Sequence, residues 1–94
     1  MKSTSTSFAL GRVVATPAAL ELLEQTGQST SSLLQRHGRN DWGDVGKGDW
    51  RANDAGVESG RRLFSVYRIT THQSIWIITE ADRSATTILL PAEY

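Results

Sequence analysis

The sequence has no cysteine, which excludes disulfide bonds, thiolate nucleophiles and metal sites built on cysteine. It also has no net charge, because ten basic residues balance ten acidic ones. A protein whose main ligand is a phosphate backbone normally carries an excess of positive charge, so this balance argues against that class of function. No segment approaches the apolar length that a membrane span needs. We therefore expect a soluble, cytoplasmic protein that contacts no membrane.

Ninety-four residues are enough for one small domain. Residues 1–7, MKSTSTS, are polar and lack the apolar core of a signal peptide. We predict a flexible terminus at residues 1–7 and a single domain at residues 8–94. A domain of this size buries only about 60–65% of the surface that its unfolded chain exposes, so its stability is expected to be modest.

A strand is predicted at residues 8–15, FALGRVVA, because strand-forming residues dominate this segment. Arg12 interrupts its apolar face, which favours a position at the edge of a sheet. An exposed edge of this kind also allows two copies of the chain to form a homodimer by extending the sheet.

Helices are predicted to follow this strand. Thr16 can cap the first helix, and Pro17 suits its first position because the missing N–H has no intrahelical partner there. The apolar side of this helix is assigned to Leu20, Leu22 and Leu23. The helices are placed at residues 18–26, 31–37 and 49–58. Residues 41–48, rich in glycine and aspartate, are expected to form a loop.

The second half of the chain predicts an antiparallel meander. Its strands are assigned to residues 62–70, 75–79 and 85–90. The middle segment, IWIIT, is apolar on both faces, which is typical of a central strand, and the connections at 71–74 and 80–84 are short. The order of elements indicates an α+β fold: an N-terminal strand, two or three short helices and a three-stranded antiparallel meander, which the first strand can join.

The two histidines, His37 and His72, are candidates for acid–base chemistry. His37 ends a predicted helix, where exposed carbonyl groups favour a partly positive imidazole, and His72 lies in a predicted turn. Neither has a partner at a diagnostic spacing, so structural roles are preferred. A metal site that combines them with Asp41 or Asp44 is less favoured still, and we expect neither a metal nor a cofactor.

The loop sequence NDWGDVGKGDW fits no ion-binding or phosphate-binding motif. A calcium loop that begins at Asp41 would place Gly43 and Val45 at ligand positions, and the spacing of a phosphate loop is absent. Two interpretations of its tryptophans stay open. Trp42 and Trp50 either anchor the loop on the core, which is preferred, or form an exposed surface that binds a partner.

Three arginines lie close together at the start of the meander and form a candidate basic patch for nucleic acid: Arg61, Arg62 and Arg68. Tyr67 adds an aromatic residue to this patch. The balance of charge and the absence of a nucleic-acid motif favour a simpler interpretation, in which the arginines cover the solvent face of a strand.

The connection at residues 80–84 carries a cluster of charged and hydroxyl groups, EADRS. Asp82 is expected to accept a hydrogen bond from the backbone two residues on, and Glu80 can pair with Arg83 across the turn. No histidine or cysteine in this stretch could activate a hydroxyl group. A structural turn is therefore preferred, with Asp82 and Arg83 at a tip that contacts a partner as the alternative.

Four segments together resemble a family of small bacterial proteins borne on plasmids and integrated elements: FALGRVVATPAALELL, RHGRNDWGD, RLFSVYRIT and WIITEADRSATTILLPAEY. Members of that family are labelled plasmid-related or hypothetical, and no established activity comes with it. The resemblance implies that the protein is encoded on accessory DNA, acts in the bacterial cytoplasm, and interacts with host defence or plasmid maintenance. The turn Thr71-His72-Gln73 departs from the pattern, which leads one to expect a glycine there.

The preferred hypothesis from the sequence is a non-enzymatic accessory protein of a mobile element that binds another protein. Its candidate contact residues are Trp42, Trp50, Asp82 and Arg83. The first alternative is a small nuclease or toxin that uses His37 or His72 with the acidic residues and arginine of the 80–84 turn. The second is a nucleic-acid-binding module built on the three arginines named above.

Overall fold

A computed structural model describes residues 6–94 as one four-stranded sheet with three helices. In chain order the elements are β1 (Arg12–Ala15), α1 (Pro17–Thr26), α2 (Thr30–Gly38), α3 (Lys47–Ser59), β2 (Leu63–Arg68), β3 (Ser74–Thr79) and β4 (Ala85–Leu89), followed by a 3₁₀ turn at Pro91–Glu93. The α+β class predicted from the sequence is confirmed. The flexible terminus predicted at residues 1–7 falls mostly outside the described residues, and the Ser7 N–H donates to the Gly38 carbonyl at 2.8 Å.

The strand order in the sheet is β1-β4-β3-β2. The antiparallel meander of β2, β3 and β4 is as predicted, with β3 in the interior of the sheet. β1 joins it parallel to β4, with Arg12 beside Ala85 and Ala15 beside Ile88, so the sheet is mixed. The prediction that the first strand lies at an edge is confirmed, although the strand begins at Arg12 and not at residue 8.

Gly11 explains the late start of β1. Its φ is +67°, a left-handed backbone conformation that residues other than glycine rarely adopt. A Cβ atom at this position would also overlap the backbone carbonyl of Arg83 in the turn before β4. The chain therefore bends at Gly11 and enters the sheet only after it.

The helix starts follow the capping chemistry of the sequence. The Thr16 hydroxyl accepts a hydrogen bond from the Ala19 N–H at 3.1 Å, and Pro17 occupies the first position of α1. The buried side of α1 is formed by Ala19, Leu22 and Leu23. Leu20, which the sequence assigned to the apolar side, is 46% exposed because it faces away from the sheet.

No helix within residues 6–94 has the length and apolar character needed to cross a membrane.

The sheet has two unlike faces. On the face that we call the inner face, Tyr67, Ile75, Ile77 and Ile88 pack against the buried residues of α1 and α2. A second buried cluster of Phe8, Trp42 and Leu63 adjoins them. The alternate residues of the same strands point to the opposite, outer face, which includes Phe64, Val66, Trp76, Ile78 and Leu89. Both helix-covered clusters lie on the inner side.

The β2 edge of the sheet is closed by residues outside it. The Asn53 side chain of α3 donates to the Phe64 carbonyl at 2.7 Å and accepts from the Phe64 N–H at 3.1 Å. Two residues further along β2, the Val66 N–H donates to the Trp42 carbonyl, and the Val66 carbonyl accepts from the Asp44 N–H. These bonds take up the backbone groups through which another strand would pair.

Candidate functional site

Three aromatic side chains form a cluster on the outer face. The rings of Phe64 and Trp76, on neighbouring strands, meet edge to face with centroids 4.8 Å apart and an interplanar angle of 86°. The Tyr94 ring lies 5.4 Å from the Trp76 ring at an angle of 59°. Because aromatic pairs favour such tilted arrangements, the contacts hold the three rings in fixed relative positions.

Hydrogen bonds nearby position Phe64 and Tyr94. The Asn53 amide fixes the backbone at Phe64, as described above. Tyr94 follows the 3₁₀ turn, in which a Glu93 carboxylate oxygen accepts from the Leu90 N–H at 2.8 Å and from the Thr16 hydroxyl at 2.7 Å. These two hydrogen bonds stabilise the ionised carboxylate and lower the pKa of Glu93. The C-terminal segment is thereby held against the sheet.

An arginine and a groove complete the site. The Arg62 guanidinium carbon lies 5.4 Å from the centre of the Tyr94 ring, within range of a cation–π interaction. A groove of about 340 Å³ runs between α3 and the outer face. It is lined by Asp49, Ala52, Asn53, Arg62, Phe64, Trp76 and Tyr94. We call Arg62, Phe64, Trp76 and Tyr94 the aromatic face.

The tryptophans that the sequence singled out do not belong to this face. Trp42 is fully buried, stacks on Phe8 with centroids 6.0 Å apart, and donates from Nε1 to the Asp54 carboxylate at 2.9 Å. Trp50 is half-buried and packs against the same cluster. Both residues anchor the loop and α3 on the core, which is the interpretation that the sequence favoured. Trp42 has no exposed surface with which to contact a partner.

The turn at residues 80–84 is built largely as predicted. Asp82 accepts a hydrogen bond from the Ser84 N–H at 3.0 Å, and bonds from Ser84 lower the pKa of its carboxyl group. Glu80 and Arg83 are both described by the structure, and they do not form the predicted ion pair. The half-buried Arg83 guanidinium donates instead to backbone carbonyls, at 2.6 Å to Arg61 and 2.8 Å to Gly56.

Arg83 therefore joins the turn to the last residues of α3. The C-terminal end of a helix carries partial negative charge, so a guanidinium is favourably placed there. We expect Arg83→Ala to lower the free energy of unfolding by about 2 kcal/mol, a value reduced from the sum of its bonds because the group is half exposed. Chemical denaturation measures this change.

Asp82→Ala is the matched control for Arg83→Ala, because its side chain is solvent-exposed and bonds only within the turn. It should leave the denaturation midpoint nearly unchanged. Equal losses of stability in both variants, or no loss in either, would contradict a structural role for Arg83. Arg83 would then again be a candidate for contact with a partner.

The three arginines of the candidate basic patch do not act as one group. Arg62 and Arg68 lie on the outer face at either end of β2, because they alternate with Phe64 and Val66. Arg61 lies before the strand, and its carbonyl accepts from Arg83. Arg62 alone takes part in the aromatic face.

The residues of the nuclease hypothesis are not assembled. His37 is fully buried, with Nδ1 2.6 Å from the Ser65 hydroxyl and Nε2 2.9 Å from the Thr79 hydroxyl. Burial lowers its pKa to about 4, which corrects the prediction of a partly positive imidazole. His72 and Asp82 lie beyond opposite ends of the six-residue β3, about 17 Å apart or more at the rise of a strand.

The groups of the disfavoured metal site with Asp41 or Asp44 have other partners. Both ring nitrogens of His37 are bonded to hydroxyl groups. Asp41 pairs with Arg36 at 2.8 Å, which lowers the pKa of the Asp41 carboxyl, and Asp44 accepts from the Arg68 N–H at 2.9 Å. Within residues 6–94 no group of three or more potential ligands could hold a metal ion.

Sequence reasoning missed the aromatic face because its members lie far apart in the chain. Phe64 and Trp76 lie on different strands, Tyr94 follows the 3₁₀ turn, and only the pairing of β2 with β3 makes two of them neighbours. The alternation along β2 was a usable signal, since it separates Phe64 from the buried Leu63 and Ser65.

No protein-family model matches the chain, and no curated protein and no solved structure is significantly similar to it.

Proposed function

We propose that this chain is a non-enzymatic binding protein that docks on another protein through the aromatic face. The observation that supports this proposal is the grouping of a tryptophan, a tyrosine, a phenylalanine and an arginine on the outer face, away from the helix-covered core. Tryptophan, tyrosine and arginine are the residues that most often dominate the binding energy of protein interfaces.

The physical properties of the face suit this role. Tyr94 is 63% exposed, and its ring is held by Trp76 and by the Arg62 cation, so little side-chain entropy is lost when a partner covers it. The groove beside it has room for one or two side chains of a partner. Asp49 and Asn53 line the groove at α3, so polar groups flank the aromatic centre, as is usual in interfaces.

The setting of the interaction rests on the resemblance to proteins of plasmids and integrated elements. We place the protein in the bacterial cytoplasm and its partner in a complex of host defence or plasmid maintenance. An accessory protein of this kind acts by occupying a surface of its target, which requires no catalytic group.

Nucleic-acid binding is the second candidate, and one observation favours it. Arg62 and Arg68 share the outer face with Phe64 and Trp76, and aromatic rings on an open sheet can stack with unpaired bases. Asp49 at the groove and the zero net charge of the chain count against it. Loss of binding to a labelled single-stranded oligonucleotide in Arg68→Glu, with a steep salt dependence, would support this candidate over protein docking.

The docking proposal is tested by affinity capture with the intact chain and with Tyr94→Ala combined with Arg62→Ala. Both side chains are exposed, so the double variant should fold normally, while a captured partner should bind it at least tenfold more weakly. Leu20→Ala, which removes an exposed apolar side chain from α1, is the control and should bind like the parent chain. Binding that falls in Leu20→Ala but not in the double variant would move the docking surface to the helices.

A further inference from the structure

We propose that two copies of this chain pair through β1, antiparallel and about a twofold axis at Val14, to form one continuous eight-stranded sheet. This pairing is separate from the aromatic face and goes beyond the docking function proposed above. It names a second copy of the chain as the occupant of the open strand edge.

The two edges of the sheet differ. The β2 edge is closed by Asn53 and by the loop residues at 42–44. At the other edge, the Arg12 and Thr16 N–H groups donate to Ser84 and Ile88 of the β4 side at 3.0 Å each. The alternate residues, Val13 and Ala15, therefore direct their backbone groups away from the sheet, and within residues 6–94 no strand pairs with them.

The side chains of β1 also match an interface. Val13 is 43% exposed and Val14 is 38% exposed, and they lie on opposite faces of the strand. Exposed valines on an open strand edge are suited to pairing with another strand.

Only one symmetric register satisfies the free groups. With the axis at Val14, Val13 of each copy forms a hydrogen-bonded pair with Ala15 of the other, so all four outward groups of each strand are used. With the axis at Ala15, Val13 would face Pro17, which has no N–H to donate. With the axis at Val13, Arg12 would lie opposite Val14, and Ala15 would have to pair with Gly11, whose φ of +67° takes it out of the strand.

The register at Val14 also brings opposite charges together. It places Arg12 of one copy opposite Thr16 of the second copy. The Thr16 hydroxyl donates to the Glu93 carboxylate at 2.7 Å, so Glu93 of the second copy stands beside the Arg12 guanidinium. The twofold axis repeats this pair, and two such pairs favour the antiparallel self-pairing over association with an arbitrary strand.

The resulting dimer has a consequence for binding. The twofold axis is perpendicular to the sheet, so the outer faces of both copies lie on the same side. Two β3 strands are then separated by five strand spacings, or about 24 Å. A partner with a repeated surface would meet two aromatic faces at once, which raises its apparent affinity. The closed symmetry uses the open edge of each copy, so the sheet does not extend further.

Sedimentation equilibrium of the intact chain, with charge reversal, tests the pairing. The parent chain should show twice its 10.3 kDa mass. Arg12→Glu should weaken the dimer about tenfold or more, because it places a carboxylate beside Glu93 of the second copy, whereas Arg12→Lys should keep most of the affinity. A monomeric parent at millimolar concentration, or an Arg12→Glu variant that dimerises like the parent, would overturn the proposal.

Disulfide trapping tests the register, and the lack of native cysteine makes a single introduced thiol a specific reporter. Val14→Cys places two thiols opposite each other in a non-hydrogen-bonded pair, about 4.5 Å apart at Cα, and should form a disulfide dimer on mild oxidation. Val13→Cys is as exposed but faces Ala15, so it should cross-link far more slowly. Equal rates in the two variants, or no cross-link in Val14→Cys, would overturn the register.

Discussion

Replacing Gly43 with alanine should lower the free energy of unfolding by about 4 kcal/mol or more, enough to leave much of the chain unfolded. Gly43 has a φ of +75°, where an alanine is strained by about 1–2 kcal/mol. Its added Cβ would also overlap the Val66 carbonyl oxygen, a backbone atom that cannot move aside. Relief of the overlap would detach the loop from β2 and expose the buried Trp42.

Gly48→Ala is the control for this substitution. Gly48 lies in the first turn of α3, and a Cβ added there meets no atom within 4 Å. Alanine has the higher helix propensity, so this variant should gain about 0.5–1 kcal/mol. Urea denaturation followed by tryptophan fluorescence compares the two variants. A loss below about 1 kcal/mol in Gly43→Ala would contradict the close packing of the loop on β2.

Lowering the pH from 6.5 to 4 should remove about 3 kcal/mol of stability through His37 alone. The pKa of His37 is about 4 in the folded chain and 6.5 in the unfolded chain, so the unfolded state takes up the proton first as the pH falls. The stabilisation is therefore complete above pH 6.5 and is lost towards pH 4. A charged imidazole would be buried beside Phe8 and Trp42, and no carboxylate among residues 6–94 compensates it.

Thermal unfolding measured across this pH range shows the effect, and proton NMR of His37 gives its pKa directly. His72→Ala is the control, because it removes the second histidine, which is exposed and lies outside the buried network, and so identifies the resonance of His37. The Asp41 carboxyl, whose pKa is lowered by Arg36, contributes its loss only near and below pH 4. A His37 resonance that titrates near pH 6.5 in the folded protein would contradict the buried network.

The local features of the sequence predicted most elements because their causes are local. Thr16 and Pro17 start α1, and the short connection at residues 80–84 forces β3 and β4 to be antiparallel. The pairing of β1 with β4 could not be predicted in this way, because three helices and two strands separate them in the chain. Its register depends on tertiary packing, including the bend at Gly11.

The same distinction applies to the candidate site. For the tryptophans of the glycine-rich loop the sequence favoured burial but left exposure open, and only the packing of Phe8 and Leu63 shows that Trp42 is buried. His37 lies in the last turn of a helix as predicted, but its neutral state follows from burial, which depends on residues distant in the chain, such as Phe8, that pack around it. Nothing in the sequence pointed to Tyr94 as a binding residue, because its place in the aromatic face depends on contact with Trp76.

Photo-cross-linking in living bacteria tests the docking surface most directly. A photoreactive phenylalanine derivative replaces Tyr94 on the aromatic face, or Ser59 at the exposed end of α3 as the control, and cross-linked products are identified by mass spectrometry. The docking proposal predicts one dominant protein cross-linked at position 94 and absent at position 59. Cross-links of equal yield at both positions, or the same partner trapped at position 59 alone, would contradict it.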